Sequence, residues 1–189
     1  MIPASIALCI AKSACAQGPI QVVGDTGGVR NSGRSKQYHV CFVCTGNICR
    51  SPMAEIIFSD ALRQEGLAHR VQVSSAGTGN WHVGNPADPR TVEALRRAGF
   101  SSEHVAAQLG AQHLSADLLV ALDRGHLTAL RRVIRDPDRV MLLRSFDRAA
   151  GQDLDVPDPY YGGKYGFDEV LSMVRAAMPG LLAWVRERL

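Results

Sequence analysis

The run Tyr38-His-Val-Cys-Phe-Val-Cys44 is mostly apolar, rich in β-forming residues and of the length of one strand. A strand that is apolar on both sides must be covered on both faces, which is typical of a parallel sheet between layers of helices. A short loop follows, and then Ser51-Pro52, residue types that favour the N-cap and the first turn of a helix. The run therefore predicts that an α/β fold begins with a strand–loop–helix unit.

The rest of the chain continues this alternation. Strands are expected over Arg70–Ser75, Asp117–Leu122 and Arg139–Leu143, and helices over Pro89–Ala98, from about Gly125 to Ile134 and over Phe167–Leu189. Gly66 is expected to end the first helix, and Pro179 to break the last helix or to start a new one. The pattern predicts a three-layer αβα sandwich around a four-stranded parallel sheet.

The composition changes near residue 37. Residues 1–36 hold four basic residues and one acidic residue, which accounts for the whole net charge of +3 and leaves residues 37–189 neutral. No basic residue precedes the apolar run Ile6–Ile10, unlike in a signal peptide. We expect residues 1–36 to be a disordered extension or an artefact of an upstream start, and residues 37–189 to form one domain.

The charge and the hydropathy exclude two classes of partner. A neutral domain lacks the strong positive field of a dedicated nucleic-acid binder. No apolar stretch approaches the ~20 residues that cross a bilayer, so no membrane partner is expected. The five cysteines are at positions 9, 15, 41, 44 and 49, an odd number concentrated in the first quarter of the chain. This distribution favours a reducing, cytoplasmic compartment and a thiol with a special role over a disulfide-bonded secreted fold.

The loop after the first strand is Cys44-Thr-Gly-Asn-Ile-Cys-Arg-Ser51. Ligands of open α/β sheets bind at the carboxyl ends of strands, where the amides of a curled loop and of a helix start converge on an anion. Arg50 would grip phosphate oxygens there, and these positive surroundings favour the thiolate form of Cys44, which attacks phosphorus. Cys44 could instead be an ordinary buried cysteine, but the thiol, Gly46, Arg50 and the start of the helix all fall at the junction between the strand and the helix. We therefore predict a phosphate-binding loop after the first strand.

A second segment, Asp155-Val-Pro-Asp-Pro-Tyr-Tyr-Gly162, lies between the fourth strand and the last helix. Phosphoryl transfer through a thiol needs a group that protonates the departing alcohol or phenol, and Asp158 is the candidate. The prolines on either side stiffen its backbone, while Tyr160 and Tyr161 could line a slot for an aromatic group. Without the cysteine loop, ordinary turn chemistry would be the better interpretation of this segment.

Three stretches together resemble the low-molecular-weight protein tyrosine phosphatases: Val43-Cys-Thr-Gly-Asn-Ile-Cys-Arg-Ser-Pro-Met-Ala-Glu55, Ser74-Ser-Ala-Gly-Thr78 and Asp158-Pro-Tyr-Tyr-Gly162. The resemblance covers about residues 38–189 in the family's order. Thr78-Gly-Asn-Trp-His-Val-Gly-Asn-Pro86 and Leu119-Val-Ala-Leu-Asp-Arg124 are similar to the mycobacterial-type branch, which includes a member exported into host cells. Residues 1–36 match nothing in the family.

The resemblance implies a role for each matching position. It implies that Cys44 is the nucleophile that becomes phosphocysteine, that Arg50 binds the phosphate and stabilises the transition state, and that Asp158 is the general acid and base. Ser51 would donate a hydrogen bond to the thiolate, and Cys49 could pair with the nucleophile under oxidation. The substrate-binding residues implied are Thr45, Gly46, Asn47, Ile48, Cys49, Ser51, Trp81, Tyr160 and Tyr161. Ser75 and His104 would support the loop from behind, together with Asn47.

The resemblance also implies the wider properties of the protein. Phosphotyrosine proteins would be its substrates, no metal or other cofactor would take part, and the protein would be a monomer or a weak dimer. Its location would be the cytoplasm, with export that needs no leader as a further possibility offered by the mycobacterial-type branch.

Other functions remain to be weighed against this one. A thiol redox enzyme of the arsenate-reductase type shares the fold, but it passes oxidising equivalents to cysteines late in the chain, and none follows Cys49. A silent phosphotyrosine-binding module would not need both Cys44 and Asp158. The larger tyrosine phosphatases have a His before the cysteine and a Gly three residues after it, where this chain has Val43 and Asn47.

Overall fold

A computed structural model describes residues 36–163 and 165–189. Its strands are β1 (Tyr38–Cys44), β2 (Val71–Gly77), β3 (Leu118–Ala121) and β4 (Val140–Leu142). Its α-helices are α1 (Arg50–Gln64), α2 (Pro89–Arg97), α3 (Ala111–Leu114), α4 (Arg124–Arg131) and α5 (Gly166–Arg186), and 3-10 turns cover Pro137–Arg139, Leu143–Phe146 and Pro159–Tyr161. The predicted extension over residues 1–36 lies, apart from Lys36, outside the described residues.

The four strands form one parallel sheet in the order β2-β1-β3-β4. Successive residues of β1 belong to two different cores: Val40 and Phe42 pack with apolar residues of α1 and α5, whereas Cys41 and Val43 pack with residues of β3 and with Leu130 of α4. Because side chains of a strand alternate between faces, helices cover both sides of the sheet. The predicted three-layer αβα sandwich with a four-stranded parallel sheet is confirmed.

The start of α1 differs from the prediction. Ser51 was expected to be the N-cap, but the helix begins at Arg50 and the N-cap position belongs to Cys49, which makes no side-chain cap. The Ser51 hydroxyl lies instead 3.0 Å from the sulfur of Cys44. At the other end, Gly66 follows the helix with a φ of 69°, a left-handed conformation that glycine adopts without strain, as expected of a stop signal.

The prediction that Pro179 breaks the last helix is wrong, because α5 continues through it. A proline inside a helix removes one backbone hydrogen bond, but the buried side chains of Val174, Met178 and Leu181 hold both halves of the helix on the core. Among the described residues no helix is both long and apolar enough to cross a membrane.

Candidate active site

The loop between β1 and α1 curls around the sulfur of Cys44. Asn47 takes a φ of 55°, an uncommon conformation for a residue with a side chain, and its backbone N–H donates to Cys44 Sγ at 3.3 Å. The chain beyond β2 fixes the loop from the side, since Thr78 N donates to the carbonyl of Cys44 and Gly79 N to that of Thr45, both at 2.9 Å. The loop is therefore held by its own backbone and by its neighbour.

Cys44 is buried, with 2% of its surface exposed, and its sulfur has hydrogen-bonding partners on two sides. Ser51 Oγ lies 3.0 Å away. Asn47 Nδ2 donates to that same oxygen at 2.8 Å, so the hydroxyl hydrogen of Ser51 remains available for the sulfur. With the Asn47 backbone N–H as a second donor, the surroundings stabilise a thiolate.

The side chain of Asn47 uses both ends of its amide. Nδ2 also donates to Ser75 Oγ at 2.8 Å, and Oδ1 accepts the backbone N–H of Ala107 at 2.8 Å. His104 Nε2 lies 2.8 Å from the Asn47 carbonyl oxygen. These contacts, each with a fixed partner, hold the residue in its positive φ. The structure thus brings Ser75 and His104 behind the loop, next to Asn47.

Glu55 joins these two supporting residues, and sequence reasoning gave it no role. Ser75 Oγ donates to Glu55 Oε2 at 2.6 Å, and His104 Nδ1 lies 3.5 Å from the same oxygen. Glu55 follows Ser51 by four residues, so the i,i+4 spacing on α1 places both on the face that meets the loop. That spacing was the signal in the sequence.

The guanidinium of Arg50 is 4% exposed and is held between two carboxylates. Nη1 donates to Asp123 Oδ2 at 2.8 Å and to the carbonyl of Val156 at 3.2 Å. Nη2 donates to Asp158 Oδ2 at 2.8 Å and to Thr45 Oγ1 at 3.2 Å. Arg50 therefore already occupies a fixed position beside the thiol, and one of its partners is the predicted general acid.

Asp123 is a second residue that sequence reasoning missed. It follows β3 directly and caps α4, where Oδ1 accepts the backbone N–H of His126 at 2.8 Å. Burial alone would raise the pKa of Asp123, but the contacts with the ring and the backbone N–H of His126 and the charge of Arg50 outweigh it and hold that pKa well below its usual range. The carboxylate is thus a permanent negative partner for Arg50. Its place at the carboxyl end of a central strand was the available signal.

The thiol opens into a cavity of about 360 Å³. Its lining consists of Cys44, Thr45, Gly46, Ile48, Cys49, Arg50, Trp81, His82, Asp158, Tyr160 and Tyr161. His82 was not predicted as a site residue, although the stretch Thr78–Pro86 contains it. Trp81 and Tyr161 are strongly exposed, whereas Tyr160 is half-buried beside His82, with 6.5 Å between the two ring centroids. Asn47, Ser51, Ser75 and His104 lie outside this lining.

Asp158 lines the same cavity as Cys44 and Arg50. Its Oδ1 accepts the backbone N–H of Tyr160 at 3.1 Å, which caps the short turn Pro159–Tyr161, while Oδ2 accepts from Arg50. The side chain is 36% exposed, so it can exchange protons with water. The two prolines that flank it restrict its backbone.

Cys49 lines the same cavity, and its thiol differs from that of Cys44 in its surroundings. Burial, and to a smaller extent the nearby negative charge of Asp88, raise the pKa of Cys49 to about 12. Cys49 is therefore a neutral thiol at neutral pH. Cys41, Cys44 and Cys49 are all free.

A buried thiol that contacts a backbone N–H and a serine hydroxyl, in one cavity with an arginine and a carboxyl group, defines a cysteine-dependent enzyme of phosphoryl transfer. Residues 39–189 match the family model described as low molecular weight phosphotyrosine protein phosphatase. The chain belongs to this family.

Relatives of known name agree with the family. "Low molecular weight protein-tyrosine phosphatase A" of Mycobacterium tuberculosis is 56% identical over 156 residues, which are 82% of this chain and 96% of that protein. A "low molecular weight protein-tyrosine-phosphatase" of Streptomyces coelicolor is 58% identical over 156 residues, 80% of this chain and 95% of its own. The crystal structure of YfkJ from Bacillus subtilis superposes with a TM-score of 0.76 at 38% identity, covering 82% of this chain and 99% of that one.

Proposed function

We propose that this protein hydrolyses phosphotyrosine in proteins through a phosphocysteine intermediate. The observation that carries the proposal is the convergence of Cys44, Arg50 and Asp158 on one cavity, where the arginine also donates a hydrogen bond to the carboxyl group. The nucleophile, the phosphate-binding cation and the proton donor are the groups that such a reaction needs.

In the first step the phosphate monoester enters the loop, and its oxygens take the place of Asp158 on Arg50 Nη2. The thiolate of Cys44 attacks phosphorus, so that the S–P bond forms as the P–O bond to the phenol breaks. Asp158, released from Arg50 and protonated, gives its proton to the departing phenolate oxygen. Arg50 and the loop amides stabilise the charge that gathers on the equatorial oxygens.

In the second step a water molecule attacks the phosphocysteine. Asp158, now a carboxylate, accepts a proton from that water, and the S–P bond breaks to return inorganic phosphate and the thiolate. The thiolate is the leaving group here, so the hydrogen bond from the Ser51 hydroxyl supports this step directly.

The shape of the cavity favours an aromatic phosphate ester. Ile48, Trp81 and Tyr160 supply apolar and aromatic surface to the lining, which suits the phenyl ring of phosphotyrosine and has no counterpart in the short side chain of phosphoserine. Phosphotyrosine proteins are thus the proposed substrates. Catalysis requires a reduced Cys44, which fits a cytoplasmic location, and a monomer would leave the cavity accessible to a protein substrate.

Cys49 has a proposed role in oxidation. If peroxide converts the Cys44 thiolate into a sulfenic acid, the Cys49 thiol can attack that sulfur, releasing water and forming a disulfide. The high pKa of Cys49 keeps it in the thiol form, which reacts slowly with peroxide, so Cys49 acts as the resolving thiol and not as the first target. The phosphotyrosine activity does not depend on this step.

The test is turnover of a phosphotyrosine peptide by the purified protein in the presence of EDTA, read as released phosphate. We expect activity without added metal, none in Cys44→Ser, and near-normal activity in Cys41→Ala, which removes a buried thiol outside the cavity. Residual turnover of Cys44→Ser at the wild-type rate would refute the phosphocysteine mechanism. Arsenate-dependent oxidation of thiols, coupled to turnover, would favour the arsenate-reductase type instead.

A further inference from the structure

His126 is a buried imidazole, 5% exposed, that belongs neither to the cavity lining nor to the reaction steps above. Its Nε2 lies 2.9 Å from Thr45 Oγ1, and its Nδ1 lies 2.9 Å from Asp123 Oδ1. Thr45 and Asp123 in turn accept from opposite nitrogens of Arg50. The four side chains therefore form a closed ring in which His126 joins two of the partners of the phosphate-binding arginine.

The protons in this ring have one consistent arrangement when the imidazole is neutral. Asp123 is an ionised carboxylate and can only accept, so the nearby Nδ1 must carry the imidazole proton. The contact is close but not aligned as a hydrogen bond, and Nδ1 has no hydrogen-bond partner among the described residues. A neutral imidazole has one N–H, so Nε2 is an acceptor.

The direction of the Thr45 hydroxyl follows from the tautomer. Because Nε2 accepts, the hydroxyl hydrogen of Thr45 points to His126, and a lone pair of the same oxygen faces Arg50 Nη2 at 3.2 Å. A freely rotating hydroxyl could instead turn its hydrogen toward the guanidinium or toward the phosphate. The imidazole removes that freedom.

We propose that His126 is a positioning residue for phosphate binding: through the Thr45 hydroxyl on one side and Asp123 on the other, it fixes both nitrogens of the Arg50 guanidinium. The inference rests on the proposed function of the same site, since it concerns how Arg50 meets the phosphate. His126 itself touches neither the substrate nor the sulfur.

The first measurement concerns the ring and is independent of catalysis. Nitrogen-15 NMR of the histidine side chains at neutral pH should show His126 with its proton on Nδ1 and an acceptor Nε2, and Thr45→Val should change the Nε2 signal. A proton on Nε2 alone, or an Nε2 signal that Thr45→Val does not move, would overturn the proposal even if the enzyme hydrolyses phosphotyrosine normally.

The second measurement uses two substitutions that keep different halves of the imidazole. The amide of His126→Gln reaches the position of Nε2 and can still accept from Thr45, whereas that of His126→Asn reaches only the position of Nδ1. We expect the inhibition constant of inorganic phosphate to rise and kcat/KM to fall, each by about tenfold in His126→Asn and by less in His126→Gln, as for loss of one hydrogen bond. The reverse order would contradict the proposal.

Substitutions of Thr45 test the bond between Thr45 and His126 from its other end. They keep the proposal testable if a His126 variant does not fold. Thr45→Val should lose at least as much as His126→Asn, because it removes the acceptor for Arg50 Nη2 as well as the contact with His126, and the double variant should lose no more than Thr45→Val alone. His113→Asn, at another buried histidine on α3, and Thr128→Val, on α4, are matched controls expected to leave phosphate inhibition unchanged. Losses that add fully in the double variant would refute the coupling.

Discussion

The backbone of Gly77, the last residue of β2, lies against the carbonyl oxygen of Thr45, and a Cβ at Gly77 would come within 2.8 Å of that oxygen. The same Cβ would lie 3.1 Å from the carbonyl carbon of Gly46 and 3.2 Å from the Asn47 nitrogen. All three are backbone atoms of the phosphate loop, which cannot rotate away as a side chain would. The absence of a side chain at Gly77 therefore sets the position of the loop.

Gly77→Ala should displace the loop and impair both stability and catalysis. We expect the free energy of unfolding, from urea titration, to fall by about 1–3 kcal/mol, as for overpacking of a filled site, and kcat/KM to fall with it. Gly163→Ala is the matched control, because a Cβ there meets nothing within 4 Å. Wild-type activity in Gly77→Ala would mean that the loop tolerates a shift at this contact.

Asn47 combines an unfavourable backbone conformation with side-chain hydrogen bonds, and two substitutions separate these contributions. Asn47→Ala keeps a Cβ at a φ of 55° and loses the bonds to Ser51, Ser75 and Ala107, while Asn47→Gly loses the bonds but has no Cβ. We expect Asn47→Gly to be more stable than Asn47→Ala by about 1 kcal/mol in urea unfolding, and both to be poorly active. Asn80→Ala, in an exposed loop, is the control.

Equal stability of Asn47→Gly and Asn47→Ala would show that the positive φ carries no strain. Full activity in either variant would show that the loop keeps its shape without the amide of Asn47.

Ser51→Ala should reduce the reactivity of the Cys44 sulfur, because the hydroxyl hydrogen that Ser51 gives to it has no replacement. We expect the rate of alkylation by iodoacetamide at pH 6 to fall about tenfold, in line with loss of one hydrogen bond to a charged group. Hydrolysis of the phosphocysteine should slow more than its formation, giving a burst of phenol before steady turnover. Ser172→Ala, on the exposed side of α5, should change neither rate.

Asp158→Ala should slow esters of weakly acidic phenols more than activated esters, because only the former need a proton on the leaving oxygen. Comparison of phenyl phosphate with p-nitrophenyl phosphate should show a loss of kcat that is larger for phenyl phosphate by about 100-fold, the lower range of general acid catalysis. Equal losses for the two esters would argue against proton donation by Asp158. Asp138→Ala, a carboxylate in the turn before β4, is the control.

Acidic pH should lower the free energy of unfolding through Asp88, the N-cap of α2. Its side chain accepts a hydrogen bond from the backbone N–H of Arg90 at 2.9 Å and pairs with the Arg90 guanidinium. The hydrogen bond from the guanidinium is the main reason that the pKa of Asp88 is lowered, and burial opposes it. Because the folded pKa lies below the unfolded value of about 3.9, the contribution is present above about pH 4 and is lost as the pH falls through the folded pKa.

Asp88→Ala should therefore lower the free energy of unfolding by about 1–2 kcal/mol at pH 7, the usual cost of removing a helix cap, and by less at pH 3. Urea titrations at the two pH values measure both differences. A cost that stays constant with pH would show that Asp88 acts through its shape and not through its charge. Asp153→Ala, an exposed carboxylate, should have a small effect at either pH.

The sequence predicted the fold and the local part of the site because both depend on short stretches of chain. The phosphate loop spans eight consecutive residues between a buried strand and a helix start, and Asp158 is marked by prolines on both sides. Asp123 and His126 could not be found in this way, because an aspartate at the start of a helix is ordinary capping chemistry. The contact between Asp123 and Arg50 joins residues 73 positions apart and exists only once β1 and β3 are paired.

Two local rules failed for a related reason. Ser51 and Pro179 were assigned by their usual preferences for helix ends, but packing overrode those preferences. The Ser51 hydroxyl is used by the thiol, and Pro179 lies in a helix whose flanking side chains are buried. In both cases a contact made after the chain folds decides the outcome.

Arg50 is neutralised before any substrate arrives, by Asp123 on one nitrogen and Asp158 on the other. Binding of a phosphate ester is therefore an exchange of one anion for another, and the free enzyme never presents an uncompensated cation to solvent. Chloride and acidic surfaces must compete with a tethered carboxylate, so they gain little from charge alone. Selectivity for phosphate then comes from the donors of the loop, which fit a tetrahedral dianion and not a generic negative charge.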